Sequence, residues 1–201
     1  RGPLAGPVVA AAVVFPAGSA LLDGVRDSKT LSAARREALA LVIRGAALAV
    51  GVAGASVREI DGLNIRVATA LAMRRAIVQV LTRVPASPLP RLLLDGQPMR
   101  EIGFPHEALV DGDAHCHSVA AAGIIAKTVR DRLMRRLAAR HAGYGWERNS
   151  GYGSAEHVAA IRTLGPTDHH RRSFSQVSGL GLPTWPSRTP CPGSRTPPAR
   201  S

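Results

Sequence analysis

Apolar residues occur in short blocks along the chain, and the first block predicts a buried strand. Residues 8–15 form an apolar run rich in valine and alanine, with a proline on each side. A membrane-spanning helix needs about 20 apolar residues, so this run is too short to cross a bilayer. It is also short for the core of a signal peptide, and the Gly6-Pro7 pair before it argues against one. A strand between two loops fits this pattern better.

The later blocks alternate between helical and strand-like spacing. In order, they predict a helix capped by Ser32 and ending near Arg44, a buried strand at 46–56, a helix within 63–84, short strands at 91–96 and 106–113, a long helix at 118–141, and a helix capped by Ser154 that ends at Leu164. Strands that alternate with helices predict an α/β domain in which helices pack on a mixed β-sheet.

Size and charge narrow the class of protein. A chain of 201 residues can form one domain with a substantial core. Its 26 basic and 14 acidic residues give a net charge of +12. This excess suits a polyanionic partner such as nucleic acid, although solubility alone would explain it equally well. Cys116 and Cys191 lie far apart, so they indicate neither a disulfide framework nor a zinc site, and they fit a reducing cytoplasm.

The composition changes from residue 178 onward. Sixteen of the last 24 residues are Pro, Gly, Ser or Thr, and the tetrapeptide Ser-Arg-Thr-Pro occurs twice. Such a segment buries too little apolar surface to fold. We therefore expect a folded domain over residues 1–177 and a disordered tail over 178–201.

Two aspartates are candidates for chemistry. Asp95 follows three leucines and precedes Gly96, so its carboxylate is expected at the end of a strand, at the rim of the sheet, where α/β folds bind ligands. A carboxylate there could hold Mg²⁺ or Mn²⁺, or it could simply belong to an Asp-Gly turn. Asp131 lies in the predicted long helix, one turn after Lys127. An i,i+4 ion pair on a solvated face is the alternative interpretation of Asp131.

Two loops carry aromatic or basic residues. Gly-Tyr-Gly occurs at 143–145 and again at 151–153. A tyrosine between glycines can stack on a base or a sugar, or it can lie in a tight turn. The run at 169–172, His-His-Arg-Arg, could contact phosphates or form only a basic loop. Its histidines lack the further ligands at defined spacing that a zinc site requires.

Seven stretches, taken in their order along the chain, resemble the type 2 ribonucleases H, the ribonuclease HII family. They are RGPLAGPVVAAAV, DSKTL, EIDGLNI, LLLDG, GDAHCHSVAAAGIIAKTVRDRLM, YGWERNSGYGSAEH and GPTDHHRRSF, and together they cover residues 1 to about 177. LLLDG alone is a weak signal, whereas seven stretches in the family's order are specific. The resemblance implies a ribonuclease H-like mixed β-sheet flanked by helices.

The resemblance also implies an active site of four carboxylates. Asp95 and Asp131 correspond to two of them, as catalytic and metal-binding residues. In the family the other two belong to an Asp-Glu-Ala-Gly motif that directly precedes RGPLAGP, at the end of the first strand. The chain is therefore expected to begin just after this motif and to lack that strand. Two divalent ions, Mn²⁺ or Mg²⁺, would activate the attacking water and stabilise the leaving oxygen.

Substrate recognition follows from the same resemblance. Arg1 and Gly2 correspond to the remainder of a Gly-Arg-Gly loop that contacts the 2′-hydroxyl of a ribonucleotide. Tyr152 corresponds to the tyrosine that stacks at the junction, and we count Lys127 with these substrate contacts. The expected substrates are the RNA strand of RNA–DNA hybrids and single ribonucleotides in duplex DNA. These are cut on the 5′ side, as in ribonucleotide excision repair.

Two kinds of function remain open from the sequence. One is an endonuclease of this family, expected as a cytoplasmic monomer without membrane contact. The other is a module that binds hybrid duplexes but cleaves poorly, because two of the four carboxylates are missing from the chain. Gly123, where the family usually has serine, and Ser150, where it often has lysine, depart from the family pattern. They are expected to weaken packing or phosphate contact without changing the assignment.

Overall fold

The computed structural model describes residues 2–85 and 90–179. The elements in chain order are β1 (Val8–Val14), α1 (Ala33–Ala46), β2 (Ala49–Ala55), α2 (Val57–Leu63), α3 (Ile65–Leu81), β3 (Leu93–Asp95), a 3₁₀ turn (Arg100–Ile102), β4 (Glu107–Leu109), α4 (Gly112–His115), α5 (His117–Arg140), α6 (Trp146–Asn149), α7 (Ala155–Leu164) and α8 (Ser175–Ser178). This alternation confirms the predicted α/β class.

The strands form two pairs instead of one continuous sheet. β1 and β2 are antiparallel, with Val8 opposite Ala55 and Val14 opposite Ala49. β3 and β4 are parallel. Both strand orientations of a mixed sheet are therefore present, but no strand among the described residues joins the two pairs.

Helices α3 and α5 pack on the β1–β2 pair, and α1 packs on α5. The approach of α3 to β2 is close because Gly51 has no side chain: a Cβ atom there would lie 2.1 Å from the carbonyl oxygen of Ala76. Ala68, Ala72 and Ala76 on α3 are fully buried. Small side chains on both sides let the helix lie directly on the strands.

The predicted caps are confirmed, and the structure adds one helix that was not predicted. Ser32 and Ser154 accept hydrogen bonds from the backbone of α1 and α7, respectively. The helix expected within 63–84 is preceded by a separate helix, α2, because Ser56 and Glu59 form a capping box that starts it. Asn64, with φ of 71°, then separates α2 from α3.

The end of the described residues falls near the predicted start of the tail. α8 ends at Ser178, and most of the predicted tail, including Cys191, lies outside the described residues. Within the part of the chain that is described, every helix is too short or too polar to span a membrane.

Candidate active site

Asp95 ends β3 at the rim of the structure. Its carboxylate accepts a hydrogen bond of 3.1 Å from the backbone N–H of Gly112, the first residue of α4. Asp95 is exposed, whereas Gly112 is buried. This bond fixes the start of α4 beside the end of β3 and leaves Asp95 accessible to a ligand.

Asp113 brings a second carboxylate to the same rim. Asp95, Asp113 and Lys29 line one cavity of about 730 Å³. The ammonium of Lys29 lies 3.4 Å from Oδ2 of Asp113 and 3.6 Å from Oδ1 of Asp27. Burial acts against the charge on Lys29, but attraction to Asp113 and Asp27 outweighs it and raises the pKa of the ammonium. Asp95 acts in the same direction, so the carboxylates and the lysine share one electrostatic environment.

The cavity lies between the two strand pairs. Its sides are formed by β1 and β3, through edges that no other described strand covers. Apolar side chains of α3 and α5 line much of its interior, among them Ile77, Val80 and Val119. The carboxylate pair therefore lines a cavity that is largely apolar.

Asp131 does not reach this cavity. Helix α5, which follows Asp113 along the chain, begins at His117. At the usual rise of about 1.5 Å per residue, Asp131 lies about 21 Å further along this helix. Its Oδ1 accepts from Lys127 at 2.8 Å and its Oδ2 accepts from Arg36 at 3.1 Å. It lines a separate cavity of about 240 Å³. The structure thus places Asp131 apart from Asp95, and an ion pair, its alternative interpretation, describes its contacts.

Sequence reasoning passed over Asp113, although it belongs to a stretch that carried the resemblance. Two signals were available: the Asp-Gly-Asp run at 111–113, and its position directly before the long helix. Asp113 was missed because nothing in the sequence states which end of α5 meets the sheet rim. The hydrogen bond between Gly112 and Asp95 supplies that information.

Of the two tyrosines in the Gly-Tyr-Gly sequences, one is buried in a turn and the other has an exposed ring. Tyr144 is 5% exposed and donates its hydroxyl hydrogen bond to the carbonyl oxygen of Gly165 at 2.6 Å. Tyr152 is 46% exposed. Its ring centroid lies 5.4 Å from Nζ of Lys127 and 5.8 Å from Cζ of Arg130. An exposed ring flanked by cations suits a stacked base beside its phosphate.

The segment that begins at Gly2 lies against the Tyr152 turn. Two of its backbone N–H groups donate to the carbonyl oxygen of Gly151, at 2.7 and 3.2 Å. Gly2 is exposed, and Arg1 lies outside the described residues. Gly2 and Tyr152, two of the predicted substrate contacts, therefore belong to segments that are hydrogen-bonded to each other.

Arg130 in α5 forms hydrogen bonds to both the N-terminal segment and the Tyr152 turn. It is 8% exposed and donates to the carbonyl oxygens of Ser150 at 2.9 Å, Ala5 at 3.0 Å and Pro7 at 3.3 Å. Burial lowers the pKa of its guanidinium. The three hydrogen bonds offset the loss of hydration, so Arg130 acts as a structural tie beneath the exposed surface.

Two side chains of the basic loop at 169–172 lie in the protein interior. His170 is fully buried and Arg171 is almost so. Nε of Arg171 donates to the carbonyl oxygen of Gly6 at 2.9 Å. The interpretation of this loop as a phosphate contact is therefore wrong for His170 and Arg171, because neither side chain reaches the surface.

Burial of His170 is expected to make the fold sensitive to acid. Loss of hydration and the neighbouring His157 lower the pKa of His170 to about 3, against about 6.5 in an unfolded chain. The unfolded state then binds more protons, so this contribution to stability is present above pH 6.5 and is lost as the pH falls towards 3. We expect the free energy of unfolding to fall by about 2 kcal/mol from pH 7 to pH 5 through this group.

Urea denaturation at the two pH values measures this effect. The His170→Asn variant is the control, because it removes the titrating group. It should be less stable at pH 7 and should lose less stability between pH 7 and pH 5. An equally steep loss in the variant would contradict the role of His170.

The carboxylate pair fits a divalent ion. Among residues 2–85 and 90–179, no group of three or more His, Cys, Asp or Glu side chains is arranged to hold a metal. Mg²⁺ and Mn²⁺ nevertheless accept one or two carboxylates, because they retain waters and share substrate phosphates. Asp95 and Asp113, facing one cavity, therefore form a suitable donor set for one hydrated ion.

Comparisons with known proteins agree with these motifs. The sequence profile of a family described as Ribonuclease HII matches residues 1–177. A Ribonuclease HII from Ruegeria pomeroyi is 52% identical over 179 residues, covering 88% of this chain and 73% of that protein. The RNase HII of Archaeoglobus fulgidus, solved in a complex with PCNA, superimposes with a TM-score of 0.66 and 25% identity, covering 91% of this chain and 93% of that one. Bst-RNase HIII, solved in complex with Mn²⁺, shares the fold at 19% identity and a TM-score of 0.60, covering 90% and 66% of the two chains.

Proposed function

The chain belongs to the ribonuclease HII family, and we propose on this basis that it hydrolyses the RNA strand of RNA–DNA hybrids and nicks duplex DNA on the 5′ side of an embedded ribonucleotide. The observation that carries the proposal is the pair Asp95 and Asp113, which face one cavity beside Lys29. The exposed Tyr152 supports the choice of substrate.

Asp95 and Asp113 would hold the divalent ion, Mn²⁺ or Mg²⁺. When bound, such an ion supplies Lewis-acid activation of water and stabilises the leaving oxygen. Carboxylates that face one cavity repel each other. Lys29 reduces that repulsion. The Mn²⁺ bound to Bst-RNase HIII, a protein of the same fold, supports a divalent ion in this chain.

Lys29 has a second role in the proposal. Its side chain is 75% exposed although it lies beside Asp113. An exposed ammonium can contact a backbone phosphate while it neutralises the carboxylate. Lys29 would therefore orient the scissile phosphate next to the carboxylate pair.

The surface around Tyr152 would recognise the ribonucleotide. The exposed ring offers a stacking platform, and the ammonium of Lys127, 5.4 Å from the ring centroid, attracts phosphate. Gly2 lies on the adjoining segment, and its lack of a side chain lets a sugar approach the backbone. Since Lys127 also pairs with Asp131 at 2.8 Å, Asp131 would fix the position of this cation instead of binding a metal.

A second candidate function is binding without efficient cleavage. It is favoured by the absence, within the described ranges, of any cluster of three metal-binding side chains. Two carboxylates can hold one ion, whereas a second ion needs further donors. In this case the chain would bind hybrid duplexes and release them largely intact.

A duplex with a single ribonucleotide, incubated with Mn²⁺, separates the two candidates. The nuclease proposal predicts one cut on the 5′ side of the ribonucleotide, with 3′-hydroxyl and 5′-phosphate ends. The same chain with an apolar strand and Asp-Glu-Ala-Gly added before Arg1 should cut faster, because it has four carboxylates. Equal rates would contradict the four-carboxylate mechanism, and binding without cutting by either form would favour the second candidate.

Replacement of Tyr152 tests substrate recognition. Tyr152→Ala is expected to reduce the preference for a ribonucleotide-containing duplex over plain DNA by about tenfold, because base–aromatic stacking contributes about 1–3 kcal/mol. Fluorescence anisotropy in Ca²⁺, which limits cleavage, measures the two affinities. Tyr152→Phe retains the ring and should retain the preference. Stacking would be contradicted if Tyr152→Phe lost the preference for the ribonucleotide-containing duplex, or if Tyr152→Ala kept it.

A further inference from the structure

His157 connects the Tyr152 turn to the interior of the protein. It lies in α7 and is fully buried. Its Nδ1 is 2.8 Å from the carbonyl oxygen of Tyr152. A carbonyl oxygen only accepts, so Nδ1 carries the proton and donates. The other nitrogen, Nε2, then lacks a proton and accepts from the indole N–H of Trp146 at 2.9 Å.

His170 continues this chain of hydrogen bonds. Its Nδ1 accepts from the backbone N–H of Thr167 at 2.9 Å, so its proton is on Nε2. That nitrogen lies 3.1 Å from Nε2 of His157 and donates to it, so the indole N–H of Trp146 and His170 share the single lone pair of this nitrogen. Burial lowers the pKa of both histidines and keeps them neutral. The backbone groups at the two ends therefore determine both tautomers.

The backbone of His170 is paired with the N-terminal segment, residues 2–7. Ala5 and His170 form an isolated antiparallel bridge. The N–H of Gly6 donates to the carbonyl oxygen of His169 at 2.8 Å. The two imidazoles thus complete a connection from the carbonyl oxygen of Tyr152 to the segment that carries Gly2.

We infer that His157 is a positioning residue for Tyr152, and that its hydrogen bond to His170 couples the Tyr152 turn to the N-terminal segment. This inference rests on the proposed contact between Tyr152 and the substrate. The ring of Tyr152 is exposed, so its backbone must be held if the ring is to meet a base in one orientation. His157 holds the backbone of Tyr152 through its carbonyl oxygen. The Tyr152 turn and the N-terminal segment then move as one unit.

Asparagine and glutamine at position 157 separate positioning from packing. The amide of His157→Asn reaches the place of Nδ1 and can donate to the Tyr152 carbonyl oxygen. The amide of His157→Gln reaches the place of Nε2 and meets Trp146 and His170 instead. Both variants lose the ring, so both are expected to be less stable.

The measured quantity is the ratio of affinities for a ribonucleotide-containing duplex and for plain DNA, by anisotropy in Ca²⁺. We expect this ratio to fall about fivefold in His157→Gln, as for the loss of one hydrogen bond, and to stay within about twofold in His157→Asn. Arg162→Gln, an exposed change in the same helix, is the control and should leave the ratio unchanged. Equal ratios in the Asn and Gln variants would overturn the inference.

A double variant shows whether His157 acts through Tyr152. In a Tyr152→Ala background, His157→Gln should cause no further fall in the ratio; a further fall would overturn the inference. If Tyr152→Ala alone leaves the ratio unchanged, the proposed recognition role fails and the inference fails with it. If Tyr152→Ala lowers the ratio and His157→Gln does not, only the inference fails. Should His157→Gln not fold, His170→Asn tests the coupling part of the inference, since it keeps the Thr167 bond but cannot reach His157; an unchanged ratio in this variant would overturn the coupling.

Discussion

Asp113→Asn is expected to reduce cleavage of a single-ribonucleotide duplex by at least about 100-fold, because loss of a metal ligand exceeds the effect of losing an outer partner. Asparagine has the same size as aspartate and lacks its charge. Asp113 lies beside Asp95 at one cavity and 3.4 Å from Lys29. Its removal also takes away the attraction that raises the pKa of Lys29. Initial rates at several Mn²⁺ concentrations measure the effect.

Asp131→Asn is the matched control for this prediction. Asp131 is bound by Lys127 and Arg36 and lies away from the cavity. We expect this variant to lose about 1–3 kcal/mol of stability, because two partly buried cations lose their partner, and to lose less than about tenfold in rate. Loss of activity in Asp131→Asn together with normal activity in Asp113→Asn would show that Asp131, and not Asp113, is the carboxylate that acts with Asp95.

Arg130→Met is expected to lower the free energy of unfolding by about 3–5 kcal/mol. The carbonyl oxygens of Ala5 and Ser150 would lose the donor that Arg130 supplies, whereas that of Pro7 still accepts from Nη2 of Arg171 at 3.3 Å. Each group left unsatisfied away from water costs about 1–3 kcal/mol. Methionine has a similar shape, so packing changes little. Urea denaturation at pH 7 measures the loss.

Arg136→Met, at an exposed site on the same helix, is the control for Arg130→Met. A surface substitution of this kind changes stability by no more than about 0.5 kcal/mol. A similar small change in both variants would mean that Arg130 is not the tie between the N-terminal segment and the Tyr152 turn.

The sequence predicted best the features that depend on local signals. The strand at 8–14 was predicted because an apolar run stands between prolines, and the helices at 33–46 and 155–164 because serine caps precede them. The extra helix at 57–63 was missed, although its capping box is also a local signal. Local backbone preferences and caps act over a few residues, so they can be recognised without the fold.

The candidate site depended on tertiary contacts that no local pattern contains. Asp113 and Asp131 occur in one motif-bearing stretch, and only the packing of α4 against β3 distinguishes them. Tyr144 and Tyr152 have the same flanking glycines, yet one hydroxyl is buried against Gly165 and the other ring is exposed. The resemblance identified the family from whole motifs, whereas the position of each carboxylate had to come from the structure.

The decisive measurement is an anomalous difference map from a crystal of this protein soaked in Mn²⁺ with a bound ribonucleotide-containing duplex. We predict a manganese peak that both Asp95 and Asp113 contact at the end of β3, with none beside Asp131. A peak beside Asp131, or a soaked crystal without manganese at Asp95 and Asp113, would contradict the assignment of the metal-binding carboxylates.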